Sequence, residues 1–173
     1  MRAGKRAYAV SLAAIWTALV VLMLHLGSLI PTGRWGMAAL AGLLPAGAVI
    51  SGGLFSGVLC WIGSSVLSFL LIPDKLLSML FAVLFGLYPL VKNLVERIEK
   101  RWVEWFCKLL FFNCAVTILY VGMQAAVLHS LPAPVRGTGI FYLVGNVVFL
   151  LYDYGFSKLI SLYMARVGRR GRH

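Results

Sequence analysis

Acidic residues are nearly missing from this chain: Asp74, Glu96, Glu99, Glu104 and Asp153 are the five in 173 residues. Only 12% of residues carry charge, against about a quarter in a soluble domain, too little to cover a water-facing body of this size. There are no paired catalytic carboxylates, no nucleophile beside a base, no H-E-x-x-H and no Walker-type glycine loop, so an enzyme is not expected. Cysteine is scarce too. Cys60, Cys107 and Cys114 lie in apolar segments without a C-x-x-C or a neighbouring histidine, which reads as small packing residues and calls for neither metal nor cofactor. Alternating strands of ~10 residues, which a membrane barrel needs, are not found.

What the chain has is apolar length. Hydrophobic residues make up 61%, mean hydropathy is +0.92, and the long runs are those a lipid solvent demands, since each span must close its own backbone hydrogen bonds. The fold class that follows is an all-α integral membrane protein, a six-helix bundle with both termini in the cytoplasm. Spans are expected at about 7–30, 36–51, 53–72, 75–92, 104–129 and 139–164, forming one transmembrane domain over residues 1–173 of a cell-membrane protein. The apolar stretch after Lys5-Arg6 is about 24 residues long, beyond a signal-peptide core, and is expected to stay as the first span. The second span is short: 16 residues reach ~24 Å. Its alternative is a single broken element over 36–72.

The net charge of +11 does not read as a nucleic-acid face, because the cations cluster at the ends of apolar runs. That placement fits cytoplasmic loops and a bilayer with anionic headgroups. With six spans, 13 basic residues fall inside, in the N-terminus, the basic loop 93–103 with its flanks, Lys158 near the end of the last span and the tail 165–173, leaving Arg34, Lys75 and Arg136 outside. Merging spans two and three would put the 92–108 segment on the side opposite the N-terminus, against the positive-inside rule. Trp35 falls at the outer interface, and Tyr88, Trp102, Trp105 and Tyr163 at the inner one. Trp16 and Trp61 fit no belt and read as packing or lipid-facing rings. Residues 92–102 are expected to extend span four as a helix, with Leu94, Ile98 and Trp102 on one face and a Glu96–Lys100 pair at i, i+4. The segment reads either as a docking surface or as a basic loop on anionic lipid.

Small residues recur at helical spacing: Gly53, Gly57, Cys60, Ser64 and Ser68 in span three, Ala9-x-x-x-Ala13 and Ala14-x-x-x-Ala18 in span one. They serve internal packing or the docking of a second membrane subunit. Polar residues inside lipid are costly and more informative. Asn113, Thr117, Tyr120 and Gln124 share one face of span five; Tyr142, Asn146, Asp153 and Ser157 share one face of span six. If these spans form a hairpin, Asn113 and Asp153 meet at similar depth. Asp153 is then a structural anchor, partnered by Asn113, a tyrosine or Lys158, or a proton or cation site. His25, on a face with Ala14, Ala18 and Val21, is expected to point into the bundle. An outward pocket would draw on His25, Arg34, Ser64, Ser68, Lys75, Gln124, Tyr142 and Asn146 as ligand-binding candidates, its outer-loop cations favouring an anionic small molecule.

Six short spans in about 170 residues, A-x-x-x-A repeats in the first, a short second span and a basic loop after the fourth resemble the S component of energy-coupling factor transporters. The resemblance implies capture of a vitamin-like micronutrient near the outer face. It also implies docking through Ala9, Ala13, Ala14 and Ala18 onto a transmembrane coupling subunit driven by separate ATPases. Two rival readings stand beside it. A non-transporting membrane scaffold, similar in size and span count to the rod-shape-determining membrane subunit, would use the polar stripes as glue. A proton-coupled carrier would use Asp153.

Overall fold

A computed structural model describes residues 2–30, 32–98, 100–122 and 138–170. The chain forms two compact units, Met1–Val127 and Leu128–His173. Among the described residues the regular structure is helical, without strands. Five segments are long and apolar enough to cross a membrane: Arg6–Leu29, Arg34–Leu71, Lys75–Val95, Arg101–Gly122 and Tyr142–Leu162. The chain is accordingly a helical protein built for a bilayer.

In the first unit the elements are α1 (Arg2–Leu29), α2 (Arg34–Ala41), α3 (Leu43–Leu71), α4 (Lys75–Leu80), a π-helical turn (Phe81–Phe85), α5 (Tyr88–Val95) and α6 (Arg101–Gly122). Proline appears where helices tolerate it: Pro45 is in the first turn of α3 and Pro89 in that of α5, where the missing N–H has no intrahelical partner to lose. Asp74 caps α4 by accepting from the Leu77 amide at 3.0 Å. Lys75 Nζ donates to the Phe69 carbonyl at 2.5 Å and the Ile72 carbonyl at 3.0 Å, holding the carbonyls that α3 leaves open.

Gly53 is the pivot of the unit. Its φ of 81° lies in the left-handed region that glycine enters freely, and α3 is helical on either side of it. The break turns the chain back on itself. A methyl group at Gly57 would collide with Val49 and stand 3.4 Å from the Pro45 carbonyl oxygen, whereas twelve residues of straight helix would separate those positions by ~18 Å. Contacts with α1 give the directions. Gly27 meets Met37 and Trp16 meets Gly47, so residues 34–52 run antiparallel to α1. The Ser56 hydroxyl then donates to the Ala9 carbonyl at 3.1 Å and the Thr17 hydroxyl to the Cys60 carbonyl at 3.4 Å, so residues 54–71 run parallel to it.

The following segment returns along α3. The Ser78 hydroxyl donates to the Ser68 carbonyl at 3.0 Å, the Trp61 indole to the Ala82 carbonyl at 2.8 Å, and Leu90 covers Gly57. The π-turn is closed by the Gly86 amide on the Phe81 carbonyl at 2.7 Å. α6 reverses again, with Phe111 beside Tyr88 at a ring separation of 6.1 Å and Gly122 against Met79. Small residues make these approaches possible: Ala9, Ala13, Ser56, Gly57, Cys60, Ser64 and Ser68 are all buried.

Two expectations are corrected at the α5–α6 junction. The helix does not run through 92–102. It stops at Val95, where the Arg97 and Ile98 amides bond to the Leu94 and Val95 carbonyls in tight three-residue turns. Lys100 therefore does not lie one helical turn from Glu96, and the Glu96 carboxylate pairs with Lys92 and Lys108 instead.

The second unit holds α7 (Thr138–Arg170). Its least exposed side chains, Phe149, Asp153 and Phe156, recur at i, i+4 and i+7 on one face.

Candidate functional site

The feature that lipid makes most costly is a pair of buried lysines. Lys92 on α5 and Lys108 on α6 are each only 3% exposed. Stripping an ammonium of water costs several kcal/mol, on the order of what must be returned by partners. Those partners are two glutamates. Glu96 Oε1 lies 2.7 Å from Lys92 Nζ and 3.3 Å from Lys108 Nζ, so one carboxylate oxygen joins both helices. Glu104 Oε1 accepts from Lys108 at 2.6 Å, one turn away on α6. The glutamates sit toward water, 45% and 21% exposed, while the lysine stems cross the apolar layer beneath them.

Aromatic rings complete the lining. The Lys92 ammonium is 5.9 Å from the centre of the Tyr88 ring, and that of Lys108 is 5.7 Å from Trp105, within the range of a cation–π contact. Tyr88 is fully buried and Phe112 nearly so. Two cations and two carboxylates meeting at one helix junction form an electrostatic clasp. Ionisable groups in such a place are functional candidates by default. Sequence reasoning counted Lys92 and Lys108 only as charges that orient the chain. The signal was present as two i, i+4 pairs, Lys92–Glu96 and Glu104–Lys108, whose acids flank the loop.

The residues nominated for a small-molecule pocket are placed otherwise. Arg34 reaches Asp74 at 3.3 Å, and Lys75 is engaged by the Phe69 and Ile72 carbonyls. Ser64 and Ser68 are fully buried, and their hydroxyls donate to carbonyls of their own helix: Cys60 and Trp61 for the first, Ser65 for the second. His25 is exposed, as are Ala14 and Ala18. The expectation that this face points inward is thus reversed: the buried face of α1 is Ala9, Ala13, Thr17, Val20 and Leu24, where small side chains admit α3. Of the nominated docking residues, Ala9, Ala13 and Gly57 are buried, while Ala14, Ala18 and the Gly53 turn are exposed. Trp16 packs over Gly47.

On α6 the Asn113 amide donates to the Leu109 carbonyl at 2.8 Å and the Thr117 hydroxyl to the Asn113 carbonyl at 2.7 Å; Tyr120 is half-buried. On α7 the Asn146 amide donates to the Tyr142 carbonyl at 2.8 Å and the Ser157 hydroxyl to the Asp153 carbonyl at 2.8 Å. Asp153 is 4% exposed, and Lys158 lies 5.8 Å from the Tyr154 ring centre. Gln124, Arg136 and His129 lie outside the described residues. The chain matches no protein-family model, and no curated protein or solved structure is detectably similar to it.

Proposed function

We propose that the chain is a six-pass cell-membrane subunit with both termini in the cytoplasm, acting by association, as a membrane scaffold does, without catalysis of its own. The six-pass reading is supported by the reversal at Gly53. Residues 34–52 and 54–71 span ~28 and ~27 Å at 1.5 Å per residue, close to the ~30 Å hydrocarbon core. The orientation rests on 13 basic residues falling on one side and three on the other.

One observation carries the scaffold reading: side chains suited to hold a solute are spent within the protein. Arg34 at the start of α2 is tied to Asp74, the cap of α4, Lys75 at the start of α4 to carbonyls at the end of α3, and Ser64, Ser68 and Asn146 to carbonyls of their own helices. The Arg34 and Lys75 contacts join neighbouring helices, and the serine and asparagine bonds satisfy polar groups that lipid would leave unpaired. A transport reading is favoured by a different observation, an acid only 4% exposed inside the apolar Tyr142–Leu162 segment. In that reading the chain is a micronutrient-capture subunit with a coupling partner and ATPases, or a carrier that uses Asp153 for protons.

Native mass spectrometry of the protein gently purified from its own membrane separates them. Attached cell-envelope or cytoskeletal subunits with no small molecule are the expected result. A bound micronutrient, or a coupling subunit with ATPases, would replace the scaffold by the capture subunit. Proton-dependent uptake that Asp153→Asn abolishes would replace it by the carrier.

A further inference from the structure

The buried clasp has a consequence for the surface around it. The segment 92–108 holds five basic residues, Lys92, Arg97, Lys100, Arg101 and Lys108, and three acids, Glu96, Glu99 and Glu104. The two buried lysines take up Glu96 and Glu104. What remains is Glu99, which lies outside the described residues, and three cations, Arg97, Lys100 and Arg101, all exposed and without a carboxylate partner among the described residues. Arg97 donates to the Asn93 side-chain oxygen at 3.2 Å, a neutral partner that leaves its charge in place. Directly beside them Trp102 is 91% exposed, and Trp105 and Phe106 are 44% and 65% exposed. Amides of Val103 and Glu104 on the Lys100 carbonyl fix these residues in the first turn of α6.

Cations flanked by exposed aromatic rings at the end of an apolar helix match the layering of a membrane interface. Indoles settle at headgroup level and arginine or lysine engages phosphate above them. We propose that Arg97, Lys100 and Arg101, with Trp102 as anchor, form a binding surface for the phosphate headgroups of anionic phospholipids. The clasp pairs two of the segment's five cations with two of its three acids, so its excess of two positive charges is carried by the exposed residues. The inference is independent of whether the protein scaffolds or transports.

The test uses the full chain in nanodiscs made from equal parts phosphatidylglycerol and phosphatidylcholine, with the co-purified lipids counted by native mass spectrometry. The intact protein is expected to retain phosphatidylglycerol in preference. A triple variant, Arg97→Gln, Lys100→Gln and Arg101→Gln, should lose most of that preference, at about fivefold per cation removed. Lys5→Gln with Arg6→Gln serves as a charge control expected to lose less, and Trp102→Ala should reduce retention of both lipids. Equal retention of the two lipids by the intact protein would overturn the proposal. So would a triple variant, still unfolding at the parent's temperature, that keeps its preference, or one that sheds a protein partner while its lipid is unchanged.

Discussion

At the scale of single residues, serine hydroxyls show how lipid sorts polar groups. Ser64, Ser68 and Ser78 each donate to a carbonyl, whereas Ser65 Oγ is buried with no partner among the described residues. An unpaired hydroxyl is a cost, and a bridging one a modest gain. Ser65→Ala should leave the thermal unfolding midpoint unchanged or raise it. Ser78→Ala, which cuts the bond to α3, should lower stability by about 0.6–1.5 kcal/mol. Thermal unfolding in nanodiscs checks both, and a loss on Ser65→Ala equal to that on Ser78→Ala would contradict the assignment. These roles were half legible in the sequence. The spacing of Ser64 and Ser68 placed them on one face, but spacing cannot tell a hydroxyl aimed at a ligand from one folded onto its own backbone. The same limit governs α1, where Ala9-x-x-x-Ala13 and Ala14-x-x-x-Ala18 are equally small and only the first is covered.

Among elements, the junction of α5 and α6 is the place to probe. Glu96→Gln keeps the shape and removes the charge shared by Lys92 and Lys108. Because the carboxylate is nearly half exposed, solvent screening reduces the effect, and a loss of about 1–2 kcal/mol is expected. Arg97→Gln, at the next residue but outside the clasp, should change stability by no more than ~0.5 kcal/mol. Raising salt should narrow the gap between the two variants, as fits a partly exposed pair. Equal midpoints for both would refute the clasp. The helical spacing of each lysine with its nearer glutamate could be read in advance. The bond from Lys108 to Glu96, twelve residues apart on different helices, could not, since it depends on α5 ending at Val95.

For the molecule as a whole, the decisive question is which side each turn faces. With Cys60, Cys107 and Cys114 replaced by alanine, single cysteines at Ser51, Thr32 and Lys100 report this through an impermeant thiol reagent. All three positions are exposed. Ser51→Cys and Lys100→Cys should react from the same side and Thr32→Cys from the other. Ser51→Cys reacting with Thr32→Cys would remove the six-pass topology. Apolar composition identified the helices and the basic clusters suggested their order, but hydropathy carries no direction. The reversal within 36–72 is decided by the sign of one dihedral angle at Gly53. A further single-residue effect lies in the π-turn at Phe81–Phe85. Such a turn accommodates one residue more than α-helix would, and every residue of a helix advances the rest by about 100° around the axis. Tyr88 and Lys92 come after it. Wound as ordinary α-helix without losing a residue, the segment would swing both side chains more than a quarter turn away from α6, whereas deleting Val83 would remove the extra residue and leave their direction unchanged. The angular phase of the charged end is thus kept by one wide turn about two turns earlier in the chain.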